Sequence, residues 1–367
     1  MLASAWYIAA AVEDLAAHEP MGVEIGGRKL VLFRTPEGAV ACLADQCCHR
    51  GVPLSMGVVK EDGIACAAHG WRFDSGGRCT HIPSLMPAET IPPNAAVTSY
   101  VVAERQGYYW VWMGDGEAAG VPDALSVPEL TANGFCSLKI RIGLDCNYVD
   151  AIENLIDVTH VPYVHVFPHL PEDERILLPR MVEVTAEEWG VSLLGGIPRD
   201  GSLSTGSTHT AVGNPEIRIR FVGPNMVRLE FLKAGPGEAI AMIEYFIPVS
   251  EWKTIFEVIL VFRARNPDNM PKAIRINHLR QDDRFHTTGR LGDEDAAIML
   301  AQARTLRANP NFRGVCVAGD AMIIAYRKFK TRARRQSFKT SQGETRRRCL
   351  RTLCNCAADT DTWPPNG

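Results

Sequence analysis

Two short runs carry the residue types for metal chemistry: Cys47-Cys48-His49-Arg50-Gly51 and, with sixteen residues between His49 and the next thiol, Cys66-Ala67-Ala68-His69-Gly70-Trp71. Each run offers one thiol and one imidazole. Zinc fingers usually set a Cys pair before a His pair. The interleaving here fits a [2Fe-2S] cluster instead, with one iron held by Cys47 and Cys66 and the other by His49 and His69. Exchanging two thiolates for neutral imidazoles raises the reduction potential and makes the ligands titratable. Cys48, Cys42 and Cys79 are expected to be buried structural thiols.

A second constellation lies in Asn154-Leu155-Ile156-Asp157-Val158-Thr159-His160-Val161-Pro162-Tyr163-Val164-His165. Asn147 to His160 has a helical pattern, which places Asn154, Asp157 and His160 on neighbouring turns. Histidines five apart would point about 140° away from each other on a straight helix. Pro162, which lacks an N–H for the helical ladder, is expected to break the helix between them. A His pair plus one carboxylate makes the facial triad of non-haem Fe(II) oxygenases, which leaves positions open for O2. Chemistry alone does not choose among Asp293, Glu294 and Asp295. Asp157 reads either as a helix-surface acid or as a partner that fixes the His160 tautomer. His18, His81, His169, His209, His278 and His286 have no such company. Arg218, Arg220 and Arg228 alternate along a strand and read as solvated charges.

The elements that must position these residues follow from pattern. Gly22 to Met113 is a series of short β-runs and turns, which indicates a small antiparallel barrel or sandwich with the Cys/His runs at loop tips. Glu117 to Asn133 is rich in Ala, Pro and Gly and reads as a connector. From Phe135 onward, strands (Ser137 to Ile142, and runs within Val182 to Val261) combine with helices at Asn147 to His160, Asp295 to Arg307 and Ala321 to Lys330. The expected fold class is α+β: an N-terminal all-β domain (1–116), a connector (117–134), an antiparallel-sheet domain with flanking helices (135–332) and a mobile basic tail (333–367). Substrate walls are expected from the sheet between about Val191 and Val261 and from residues after His165.

Composition narrows the class. With 367 residues, 46% apolar and 22% charged, the chain is too long for a lone electron carrier and has enough apolar residues for more than one core. The net charge of −3 hides a basic end, since residues 327–367 hold eleven Lys/Arg against Glu344, Asp359 and Asp361. The acidic remainder is a poor match for polyanions, so no nucleic-acid partner is expected. No run of 18 apolar residues appears and Met1 to Val12 lacks a basic flank, so no membrane span is expected and a cytoplasmic location is. Eleven cysteines, an odd and scattered set, argue against a disulfide framework.

Residues 6 to 114 resemble the N-terminal domain of Rieske non-haem iron oxygenases. The resemblance rests on Trp6-Tyr7, Cys47-x-His49-Arg50-Gly51-x-Pro53-Leu54-Ser55, Cys66-x-x-His69-Gly70-Trp71, and Glu104-Arg105 leading to Trp110-x-Trp112-Met113-Gly114. The chain resembles in particular the oxygenase components of vanillate O-demethylase and dicamba monooxygenase. One departure is Ala67-Ala68 where those proteins usually have Pro-Tyr; it leaves the ligands in place and bears on the packing and potential of the cluster. The resemblance extends to about residue 330 and selects Asp295 as the third iron ligand, because Glu294-Asp295 is followed by Ile298, Met299, Leu300 and Gln302. It also implies that Asp157 bridges His69 of one subunit and His160 of the next in a head-to-tail homotrimer, and it places Asn154 near the iron.

The function so implied is the terminal oxygenase of a Rieske monooxygenase system. It uses O2 and electrons from NAD(P)H, delivered by a separate reductase with or without a ferredoxin, to O- or N-demethylate a small aromatic substrate. Oxidation of the methyl group gives a hemiacetal or hemiaminal that loses formaldehyde. No Gly-rich dinucleotide fingerprint follows a strand, which fits an external reductase. An aromatic ring-hydroxylating dioxygenase is the alternative enzyme, and a zinc-dependent nucleic-acid binder the alternative outside enzymology.

Overall fold

A computed structural model describes residues 4–114, 118, 120–164, 181–198, 212–234, 239–263 and 290–334. His165 and residues 335–367 lie outside the described residues.

The N-terminal half is built from eleven short strands: β1 (Trp6–Ala11), β2 (Met21–Ile25), β3 (Arg28–Arg34), β4 (Val40–Ala44), β5 (Val58–Lys60), β6 (Gly63–Ala65), β7 (Arg72–Phe73), β8 (Cys79–His81), β9 (Ser99–Tyr100), β10 (Val102–Arg105) and β11 (Tyr108–Trp112). They form three antiparallel sheets, ordered β1-β11-β10, β2-β3-β4-β9 and β5-β6-β7-β8. The two Cys/His runs occupy the β4–β5 connection and the β6–β7 turn. Both therefore project from sheet ends, as the turn spacing predicts.

The second half is one seven-stranded antiparallel sheet of β12 (Phe135–Leu144), β13 (Met181–Ala186), β14 (Gly190–Pro198), β15 (Val212–Val222), β16 (Met226–Phe231), β17 (Ala239–Ser250) and β18 (Lys253–Arg263). Its order is β12-β18-β17-β16-β15-β14-β13, so β12 closes onto the last strand while the rest run as a meander. Period-2 alternation gives the sheet two apolar faces. The inner face, with Val227, Phe246, Val258 and Phe262, packs against helices. The outer face, with Ala241, Ile243, Tyr245, Ile259 and Val261, packs against Trp6, Ile8, Tyr108 and Trp110 of the N-terminal half.

The helices are α1 (Tyr148–Ile156), α2 (Val161–Val164), α3 (Arg290–Ala308) and α4 over 321–334. Asn147 caps α1, its side chain accepting from the Val149 N–H at 2.9 Å, and Asp150 in the first turn complements the dipole. Tyr148, Ala151, Ile152 and Ile156 form the buried stripe. Met299 and Ala303 are the buried face of α3, and Asp295, four residues before Met299, falls on that same face. Among the described residues no helix is long and apolar enough to cross a membrane.

The two halves are joined by polar contacts set inside an apolar seam. Tyr108 Oη donates to Glu257 Oε1 at 2.7 Å, and Arg141 Nε donates to Glu257 Oε2 at 2.7 Å. Arg141 reaches on to Asp14 at 2.8 Å. Glu257 is 3% exposed, so removing it would leave a hydroxyl and a guanidinium without their acceptor. Glu257→Ala should cost about 3 kcal/mol and Tyr108→Phe only about 1 kcal/mol, since Arg141 still matches the carboxylate. Urea denaturation of both variants checks the ordering.

Candidate active site

The two Cys/His loops share one backbone frame. In the first, the Cys47 N–H donates to Val52 O at 2.9 Å and the Gly51 N–H to Cys47 O at 2.9 Å. In the second, the Cys66 N–H donates to Trp71 O at 2.8 Å and the Gly70 N–H to Cys66 O at 3.0 Å. Each loop closes through a glycine with positive φ, +76° at Gly51 and +69° at Gly70, where a side chain would be strained. Ala67 and Ala68 are exposed within the second loop, whose backbone hydrogen bonds parallel those of the first.

This frame pairs like with like. Cys47 and Cys66 are both buried, and their thiols lie within hydrogen-bonding reach. Burial first, and the Cys66 thiol after it, push the Cys47 thiol up to about 11. The rings of His49 and His69 meet edge to face, centroids 4.6 Å apart, and Trp71 stacks on His49 at 4.5 Å. His49 Nδ1 is buried without a hydrogen-bond partner. A thiol pair beside an imidazole pair, with a ring nitrogen left unmatched, fits a [2Fe-2S] cluster held two and two. His69 is exposed.

Sequence reasoning missed the support of the first loop. Asp45, buried, accepts from the Ser55 N–H at 2.7 Å and from Ser55 Oγ at 2.7 Å, tying the two ends of the loop together. An Asp just before the Cys and a Ser eight residues after it were the available signal. Cys42 and Cys79 are buried as expected, but Cys48 is exposed. The tight loop turns Cys47 and His49 inward, so the residue between them faces out.

The second constellation sits on the inner face of the large sheet. His160 Nε2 lies 3.3 Å from Asp295 Oδ1, and Asn154 Nδ2 donates to the same oxygen at 3.1 Å. Three of the expected residues are thus gathered from α1, the segment after it and α3. Burial opposes a charge on His160, yet the Asp295 carboxylate, and then Asp157, outweigh it and hold the imidazole above its ordinary value. Among the described residues no three His, Cys, Asp or Glu side chains converge on one point. Asp295 and His160 supply the oxygen and nitrogen donors that ferrous iron takes.

The helix break is not where Pro162 suggested. Helix α1 ends at Ile156, and Asp157 is its extended C-cap. Asp157 Oδ1 accepts from the Thr159 N–H at 2.7 Å and from Thr159 Oγ1 at 2.6 Å, a local turn that competes with the helix. Pro162 is the second residue of α2, where its missing N–H costs nothing. His160 O then accepts from the Tyr163 and Val164 N–H groups at 2.9 Å. Helix α3 likewise begins five residues before Asp295, so that acid lies inside the helix and not at its opening.

Beside these residues is a recess lined by Ile142, Leu144, Asn154, Glu244, Phe256 and Asp295, among others. Its described walls are β12, β17, β18, α1 and α3, not the strands from Val191 to Phe231. Arg218 and Arg220 pair with Glu230, at 3.3 and 2.6 Å, and Arg228 pairs with Glu129 and Glu230. The register sets Arg228 beside Ile243, on the outer face. Glu244 was not singled out from sequence, although a lone acid inside Ala239–Ser250 was visible.

Residues 144–336 match the vanillate O-demethylase oxygenase C-terminal domain, and residues 5–99 match the Rieske [2Fe-2S] domain. The chain belongs to this family of Rieske oxygenases with a vanillate-demethylase type C-terminal domain. It is 38% identical over 165 residues to the oxygenase component of dicamba O-demethylase from Stenotrophomonas maltophilia, covering 44% of this chain and 47% of that protein. It is 36% identical over 163 residues to the vanillate O-demethylase oxygenase subunit of a Pseudomonas species, covering 44% of each. The chain spans about half the length of the curated relatives it matches. In fold, it superposes on dicamba monooxygenase bound to dicamba with a TM-score of 0.68 at 23% identity, over 92% of this chain and 99% of that one.

Glu244 has a consequence for stability. Burial first, and the Asp295 carboxylate second, push its carboxyl from 4.5 up to about 8. Between these values the folded chain holds a proton that the unfolded chain has released, so stability falls as pH rises through the window. Glu244→Gln removes this titration. Its stability relative to the parent should improve by about 2–4 kcal/mol between pH ~5 and pH ~8, read by urea denaturation at both.

Proposed function

We propose that the chain is the terminal oxygenase of a Rieske monooxygenase system that O- or N-demethylates a small aromatic substrate. The observation that carries this reading is the presence in one chain of the paired Cys47/Cys66 and His49/His69 loops and, separately, of His160 against Asp295. Cys47, His49, Cys66 and His69 would hold the cluster, and His160, Asp295 and His165 the ferrous ion. When bound, the cluster supplies electrons singly and the iron activates O2 for attack on a methyl C–H bond.

The chain's own residues do the rest. Asn154 donates to Asp295 Oδ1 and so fixes the rotation of that carboxylate. Asp157, its Oδ1 held by Thr159, keeps an acid next to His160. The apolar lining of Ile142, Leu144, Phe246 and Phe256 gives the recess a low-dielectric wall beside Asn154 and Asp295. Exposed His69 is where an electron can leave the N-terminal half. In a head-to-tail ring of three chains it would meet Asp157 of the neighbour. Electrons would come from NAD(P)H through a separate reductase in the cytoplasm.

Iron and sulfide analysis with visible and EPR spectra tests the assignment. The purified chain should hold about three irons and two sulfides, and His160→Ala should lose one iron and keep the red-brown colour. A count of about two irons in the fully loaded parent contradicts the mononuclear site. Formaldehyde release under turnover supports demethylation, and a ring diol overturns it in favour of dioxygenation.

A further inference from the structure

The other charged side chains buried in the described structure are paired. Asp45 is held by Ser55, Arg228 by Glu129 and Glu230, and Glu257 by Tyr108 and Arg141. Asn225 donates to Phe246 O, and Thr254 to Cys146 O. Glu244 is the exception: it is 8% exposed, and no hydrogen bond or ion pair reaches it from the described residues.

Strand register explains how an acid comes to stand there. Glu244 is opposite Val227 on β16 and Val258 on β18, both inner-face core residues. Its side chain therefore shares the helix-covered face with Phe246 and lines the recess that also contains Asn154 and Asp295. A carboxyl placed among aliphatic and aromatic groups without a partner among the described residues opposes folding. Valine or leucine would satisfy the strand pattern at this position without that cost.

We propose that Glu244 is the polar anchor of the substrate recess and selects a molecule presenting an amine head group over one presenting a carboxylate. The proposal rests on the oxygenase reading of the neighbouring site and deepens it by naming a substrate class. The recess measures about 60 Å³, room for a head group of a few heavy atoms and not for a whole ring. Its described lining includes the acids Glu244, Asp293 and Asp295 and no Lys, Arg or His. An ammonium entering it would draw Glu244 into its ionised form and pair with it in a low dielectric, where charge-assisted bonds are roughly twice as strong as neutral ones. A carboxylate entering it would find no Lys or Arg among the described lining to pair with. Arg218, Arg220 and Arg228 lie on the opposite face, paired with Glu230 or Glu129.

The test compares two probes that share a methoxy-substituted ring and differ only in the head group, 3-methoxybenzylamine and 3-methoxybenzoate. Their affinities for the iron-loaded parent and for Glu244→Gln are measured by calorimetry. The amine should bind the parent at least ~10-fold more tightly than the acid. In Glu244→Gln that preference should collapse to within ~3-fold, with iron content and visible spectrum unchanged. Equal or better binding of the acid to the parent overturns the proposal, as does an undiminished preference in the variant or no amine binding at millimolar concentration. The parent comparison needs no variant and stands if Glu244→Gln does not fold. Iron counts on the same preparations separate the two levels: a missing mononuclear iron sinks the oxygenase reading, whereas full iron without amine preference sinks only the role of Glu244.

Discussion

Packing of α1 and α3 onto the inner face of the seven-stranded sheet is the constraint on which the catalytic half depends. Neither helix holds a complete site. Asn154 comes from the end of α1, His160 from the turn beyond it and Asp295 from α3, and they meet only because both helices bury their stripes on the same strands. Ile152, Ile156 and Met299 are nearly or fully buried, and each contributes on the order of 1.5–3 kcal/mol. That is far more than a 3.1 Å hydrogen bond from Asn154 to Asp295 could supply alone. The polar cluster is therefore positioned by its apolar surroundings. The same turn of chain anchors both helices: Asn147 donates to Glu251 O at 2.8 Å, and Arg307 donates to Trp252 O at 3.0 Å while lying over the Trp252 ring.

The cluster half obeys a different rule. Its loops are too short to have a core of their own, so backbone hydrogen bonds and two positive-φ glycines fix them. Thiols and imidazoles sort into pairs because each loop is the same turn used twice, and the symmetry lies in the backbone. Sequence departures such as Ala67-Ala68 are tolerated at exposed tips, whereas a substitution at Gly70, whose added Cβ would lie 3.0 Å from Pro83, acts on the frame itself.

Much of this was legible in the chain. The Cys/His spacing is local, and local spacing survives folding, so the cluster loops and their order could be read directly. The α+β plan, the strand from Phe135 and the helices near Asp295 and Ala321 followed from periodicity. Illegible features were those decided by competition or by distance. A helix pattern running to His160 lost to the Asx turn of Asp157 and Thr159, and Pro162, read as a breaker, starts a helix. Cys48 resembles its buried neighbours in composition, but its direction is set by the loop. Asp45 and Ser55, like Tyr108 and Glu257, become partners only once strands from separate regions are in register.

Sheet alternation also divides the charges of the catalytic half by purpose. On the outer face, Arg141 with Glu257 and Arg228 with Glu129 and Glu230 are internally compensated. Such pairs fix how two surfaces meet more than they add net stability. On the inner face Glu244, the one strand acid buried there among the described residues, sits among apolar side chains near Asp295, with no Lys or Arg in the described lining. A one-residue slip of β17 would exchange these faces, placing Glu244 in the seam against the N-terminal half and Tyr245 in the recess. The register that pairs Glu244 with Val227 and Val258 thus fixes both the joint between the two halves and the chemical character of the pocket. Pocket character and domain packing in this chain are two consequences of one strand alignment.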